Sequence, residues 1–97
     1  MAIETPEDYW VGIFARSGLA TKEGMRPANC IGVVDPDYRG EIIVALHNDS
    51  EVPRNIVPGE RIGQLVLMPR YKMNFQEVNE LNDTTRNTGG FGSTGMM

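Results

Sequence analysis

Apolar residues in this chain come in short runs separated by turn formers, not at helical spacing. Tyr9–Phe14 is aromatic and β-branched and follows the turn-forming Thr5-Pro6-Glu7-Asp8, which predicts a strand. Leu19–Glu23 predicts about one helical turn closed by Gly24. Pro27 makes Met25–Ala28 extended. The unbroken apolar run Ile42–Leu46 is too short for a typical helix and predicts a strand buried on both faces. Arg61–Met68 predicts a further strand ended by Pro69, and Met73–Val78 a last short one anchored by Phe75 and Val78. His47–Pro53 and Pro58-Gly59-Glu60 read as turns. Short strands between turn signals, with almost no helix and no internal repeat, predict a single all-β domain, a sandwich or barrel.

The stretch Asn29–Glu41 organises this pattern. Pro36 lacks an amide hydrogen and cannot sit inside a central strand, so the chain reverses near it, between the apolar runs Cys30–Val34 and Ile42–Leu46. Gly40 offers a second bend where φ can be positive. The expectation is a rigid hairpin that displays Asp35, Asp37 and Tyr38 at its mouth.

Composition narrows the function classes. The chain has 97 residues and a net charge of −4, with nothing like a basic stripe, which argues against a general nucleic-acid or membrane surface. The single Cys30 excludes an intrachain disulfide and fits a reducing compartment. The N-terminus is acidic (Glu4, Glu7, Asp8) and has no basic region before an apolar run; no apolar stretch approaches the ~20 residues that span a bilayer. A cytoplasmic protein is expected.

Several groups carry candidate chemistry, each with a plainer use. Arg16-Ser17-Gly18 follows a strand and opens onto a helical turn, which suits a phosphate cradle, but Ser17 also suits an ordinary helix N-cap. Asp35 and Asp37 can activate a water, hold a metal or stabilise a turn. Asn29 can read a base edge or tie down a loop, and Tyr38 can pack or stack. Gln64 interrupts an apolar strand, where its amide either contacts a ligand or faces solvent by alternation. The tail from Arg86 to Gly95 has the composition of a flexible end, yet it offers an Arg, hydroxyls, unobstructed amides and one aromatic ring, Phe91. His47 and Cys30 have no partners at metal or catalytic spacing.

The order of these groups is more specific than any one of them. Arg16-Ser17-Gly18-Leu19-Ala20, then Gly32–Glu41, then Pro58-Gly59-Glu60-Arg61-Ile62-Gly63-Gln64-Leu65, then Gly89-Gly90-Phe91-Gly92-Ser93-Thr94-Gly95 resemble motifs two to five of the trimeric dUTPases. The resemblance covers essentially the whole chain. It implies a distorted jelly roll (β-clip) assembled as a homotrimer with active sites at subunit interfaces, hydrolysing dUTP to dUMP and pyrophosphate with Mg²⁺.

By motif, the resemblance implies that Asp35 orients and activates the attacking water. Tyr38 would pack on the deoxyribose and reject a 2′-hydroxyl. Asn29 and the backbone of Gly32, Val33 and Val34 would read uracil. Arg16, Ser17, Gly18 and Gln64 would hold phosphates. Arg86, Phe91, Gly92, Ser93 and Thr94 would come from a neighbouring subunit, with residues 1–85 forming the β domain and 86–97 an arm that closes over the nucleotide. The family's first motif, upstream of motif two, has no counterpart here, which implies an N-terminally shortened fold with unpaired strand edges and altered metal handling. A catalytically impaired module that binds dUTP or dUMP is the alternative. The dCTP deaminases share the fold, but the Gly-Gly-Phe-Gly-Ser-Thr-Gly tail argues against them.

Overall fold

The computed structural model describes residues 1–90. Its elements are β1 (Tyr9–Phe14), α1 (Ser17–Glu23), β2 (Met25–Pro27), β3 (Gly32–Val34), β4 (Leu46–Asn48) and β5 (Gln64–Pro69). The expected strand at Tyr9–Phe14 and the helical turn before Gly24 both form, the helix beginning two residues early. β1 is the central strand of a three-stranded antiparallel sheet. One edge pairs with β3, Val11 opposite Val34 and Ile13 opposite Gly32. The other pairs with β5 along its whole length, from Tyr9 opposite Pro69 to Phe14 opposite Gln64. β2 and β4 form a separate two-stranded ladder, Met25 opposite Asn48.

Alternation decides what is buried. Val11, Ile13 and Val34 form the main apolar cluster, with Ile3, Ile42 and Val44 packed against it. Leu19 of α1 and Met25 of β2 are also buried. The resulting core is small. The radius of gyration is 19.1 Å, with extents of 54 × 41 × 17 Å, against about 13 Å expected of a compact 100-residue domain. Leu67, Tyr71, Phe75 and Leu81 stand 56%, 86%, 90% and 81% exposed, an apolar surface of the kind that marks interaction faces.

Four local expectations are corrected. The arms of the predicted hairpin do not pair with each other: β3 pairs with β1, and Leu46–Asn48 pairs with β2. Residues 42–45 form no strand and are not buried on both faces. They alternate, with Ile42 and Val44 half-buried and Ile43 72% exposed, because one side meets the core and the other meets no element among the described residues. Met73–Val78 forms no strand, since no described segment lies alongside to pair with it. The strand expected at Arg61 starts only at Gln64 and runs through Pro69, which ends the ladder.

Gly40 is not left-handed; among the described residues the positive-φ glycines are Gly24 (72°) and Gly59 (85°). Gly24 closes α1, its amide turned back to the Ala20 and Leu19 carbonyls. Its own carbonyl accepts from Asp49 N (2.8 Å), tying the helix end to the strand ladder. A Cβ there would lie 3.1 Å from Ser50 N. Gly24→Ala is therefore expected to cost about 1–2 kcal/mol through the left-handed penalty and to lower Tm by roughly 5–10 °C in thermal denaturation.

An ion pair spans the same ladder. Arg26 Nε donates to Asp49 Oδ2 at 2.7 Å and His47 Nε2 lies 3.2 Å from Oδ1. The bond from Arg26 holds the Asp49 carboxyl below its ordinary value. A depressed carboxylate contributes stability that is complete above its unfolded pKa and is lost as pH falls through the folded one. Wild-type Tm should thus decline as pH drops below about 4. Asp49→Asn should start lower at neutral pH and decline less steeply, and parallel curves would remove Asp49 from this role.

Candidate active site

β3 lies at a sheet edge, so the backbone groups on its outer side have no strand partner among the described residues. After Val34 the chain turns at Asp35-Pro36-Asp37-Tyr38, with Tyr38 N donating to Asp35 O at 3.1 Å. It returns through Ile42 and Ile43 without closing onto β3. The gap is a cleft of about 220 Å³ lined by Ile13, Gly32, Val33, Val34, Asp35, Tyr38, Glu41, Ile42 and Ile43. The structure thus brings together five of the predicted site residues: Gly32, Val33, Val34, Asp35 and Tyr38.

The cleft wall is braced by its own loop. Tyr38 Oη donates to Glu41 O at 2.8 Å. The ring lies where a Cβ on residue 40 would stand, so Gly40 supplies room for Tyr38. Arg39 Nη1 donates to Pro36 O at 2.6 Å, and its Nε lies 3.5 Å from Glu4. Asp35 is exposed at the rim, between this cleft and a second hollow lined by Thr5, Glu7, Asp35, Pro36, Asp37, Arg39 and Arg70. No described side chain bonds its carboxylate, which leaves the oxygens able to hold a water. Asp37 faces that second hollow and not the cleft.

A second group forms where β1 runs out. The register of β1 and β5 sets Gln64 opposite Phe14, and Gln64 Nε2 donates to Ala15 O at 3.1 Å. Arg16 Nη1 donates to Arg61 O at 3.2 Å. Arg16, not Ser17, is the N-cap of α1 and makes no side-chain cap bond, so the Ser17 hydroxyl is not used as the cap. Ser17 and Gly18 are exposed. A hollow of about 360 Å³ reaches from Gln64 and Arg61 past Ile42 to Ile13, which also lines the cleft.

The remaining predicted residues join neither group. Asn29 is exposed beside Cys30, whose φ is 67°. Arg86 Nε donates to Gly89 O. Phe91, Gly92, Ser93 and Thr94 lie outside the described residues. Sequence reasoning missed Arg54, which donates to Glu23 (Nε to Oε1, 2.9 Å) and to Glu60 (Nη2 to Oε2, 2.6 Å). These bonds raise the Arg54 pKa and lower that of Glu60. The partners lie 31 and 6 residues away, and no local spacing announces the first of them. No three His, Cys, Asp or Glu side chains converge as a metal cage among the described residues.

The family model described as dUTPase matches residues 1–95. A Hydrogenobaculum protein named deoxyuridine 5′-triphosphate nucleotidohydrolase is 51% identical over 96 residues, covering 99% of this chain and 67% of the relative. A protein of that name from Desulfitobacterium hafniense is 48% identical over 98 residues, covering 99% of this chain and 64% of the relative. The chain spans about two thirds of the length of the curated relatives it matches. Among solved structures, a mutant of the Staphylococcus bacteriophage 80alpha dUTPase with dUpNHpp superposes with a TM-score of 0.80 at 24% identity, covering 98% of this chain and 72% of that one. The likeness establishes the distorted jelly-roll framework that the motif order implied.

Proposed function

The chain belongs to the dUTPase family, and from that premise we propose that it hydrolyses dUTP to dUMP and pyrophosphate. The observation that carries the proposal is the cleft beside β3, where open strand backbone, the Tyr38 ring and the Asp35 carboxylate meet. Uracil offers alternating donors and acceptors on its edge, which suit the backbone groups on the outer side of Gly32–Val34, with Asn29 as a further amide partner. The Tyr38 ring is the wall for the deoxyribose, and its bond to Glu41 keeps it where an added 2′-hydroxyl meets the ring.

Arg16, the Ser17 hydroxyl, Gly18 and Gln64 hold the phosphates. Asp35 orients a water and takes its proton as the oxygen attacks phosphorus, and the α–β anhydride bond breaks to release pyrophosphate. Guanidinium and amide donors stabilise the charge that develops on the phosphate oxygens. The described residues hold no metal cage, so a Mg²⁺ ion would be held by the triphosphate oxygens themselves, where it would neutralise part of the phosphate charge beside Arg16 and Gln64.

The cleft is lined by Gly32–Asp35 and Tyr38 but by none of Arg16, Ser17, Gly18 and Gln64; Gln64 lines the other hollow, which meets the cleft only at Ile13 and Ile42. That separation supports a site shared between copies, as does the apolar surface left open from β5 onward. The assembly we infer is a homotrimer in which residues 86–97 form an arm, with Arg86, Phe91, Gly92, Ser93 and Thr94 closing over a neighbour's nucleotide. No helix of the described residues is long and apolar enough to cross a membrane, and the lone Cys30 suits a reducing, cytoplasmic setting.

Pyrophosphate release from dUTP, measured beside dCTP and UTP, should be strong for dUTP alone. Asp35→Asn should lower turnover by roughly 10²–10⁴ while sparing binding of an unhydrolysable dUTP analogue; strong residual activity would take the base role from Asp35. Removing residues 86–97 should depress turnover with little change in Tm. Light scattering should give three times the chain mass, and a stable, active monomer would contradict the shared site.

A further inference from the structure

Three ties join the Ala15–Glu23 segment to the 54–64 segment. Gln64 reaches Ala15 O and Arg16 reaches Arg61 O at one end. At the other, the Arg54 guanidinium lies between Glu23, the last residue of α1, and Glu60, which opens the lead-in to β5. The contact is forked on both sides. Nε and Nη2 face the two oxygens of Glu23 at 2.9 and 3.4 Å, and Nη1 and Nη2 face those of Glu60 at 3.3 and 2.6 Å. Glu60 Oε1 also accepts from Val57 N at 3.3 Å, so the carboxylate is held by its own turn as well.

We propose that Arg54 is a positioning residue for the triphosphate end of the site, tying the α1 segment that follows Arg16 to the turn that precedes Gln64 and neutralising the Glu23 and Glu60 carboxylates. The proposal rests on the reading that Arg16, Ser17 and Gln64 receive phosphates. Glu60 adjoins Arg61, whose carbonyl holds Arg16, and Glu23 ends the helix that Ser17 begins. Without Arg54, Glu60 would stand uncompensated in the hollow that Gln64 and Arg61 also line, and Glu23 would lose its tie at the end of α1. The Arg54 and Glu60 side chains are only 27% and 19% exposed, so solvent screens that pair less than an open surface pair, whereas Glu23 is 46% exposed. Lysine is a poor substitute, because a single ammonium cannot present two forks to two carboxylates.

The consequence is selective. A nucleoside triphosphate carries more charge than a monophosphate, so losing Arg54 should penalise the former more. In the full-length protein, Arg54→Gln should raise KM for dUTP, and Kd for an unhydrolysable dUTP analogue, roughly tenfold at low salt, with kcat within about twofold. Kd for dUMP should barely move, and the deficit should shrink as salt is raised. Arg54→Lys should fall between wild type and Arg54→Gln, and it carries the same comparison should Arg54→Gln not fold. Equal losses for dUMP and the triphosphate analogue, a fall in kcat at constant KM, or no change would overturn the assignment. Wild-type protein that binds neither nucleotide would instead sink the phosphate-site reading, and this proposal with it.

Discussion

The separation of β3 from the segment 42–45 is the constraint on which the rest of the molecule turns. Two short apolar runs joined by a bend would ordinarily zip into a hairpin and satisfy each other's backbone. Here Pro36 is buried at the bend, and the loop that follows is tied internally by Tyr38 to Glu41 and by Arg39 to Pro36. Those ties hold the returning chain away from β3. The apolar side of 42–45 still covers Val11, Ile13 and Val34, so the opening costs the core little. It leaves a polar strand edge, an aromatic wall and a carboxylate facing one hollow.

The other half of the proposed site is set by a different device. Six consecutive pairs lock β5 to β1, and that register fixes Gln64 at the point where β1 gives way to Arg16 and α1. A one-residue slip would invert every side chain of β5 and carry Gln64 away from Ala15. In the site proposed above, the base end would depend on β3 and a returning segment held apart, and the phosphate end on two strands held together. β1 serves both, because Ile13 lines the two hollows.

What could be read from the sequence was what is local. Tyr9–Phe14 declared itself through aromatic and β-branched residues, and Gly24 through its place behind a helical turn. Asp35 and Tyr38 are three residues apart across a proline bend, so their company at one cleft was legible too. Partner choice was not. Nothing in Gly32–Val34 says that β1 outcompetes 42–46 for it, because pairing energies are decided between segments distant in sequence. The apolar alternation of 42–45 was hidden by five successive apolar residues. Phe75 and Val78 looked like strand anchors because their type was right, but a strand needs a neighbour as well as a composition. Arg54 gave no sign at all, since its meaning lies in Glu23 and Glu60 and not in its own surroundings.

A molecule 17 Å thin whose main apolar cluster is Val11, Ile13 and Val34 keeps much of its apolar surface on the outside. In the assembly proposed above, that surface becomes interior only when copies meet. Folding free energy is then partly an association free energy, and it follows mass action. For such a chain, dilution is a denaturant. A nucleotide gripped by several subunits of that assembly would work in the opposite direction: substrate would act as mortar, and the protein would be most robust where its ligand is most abundant.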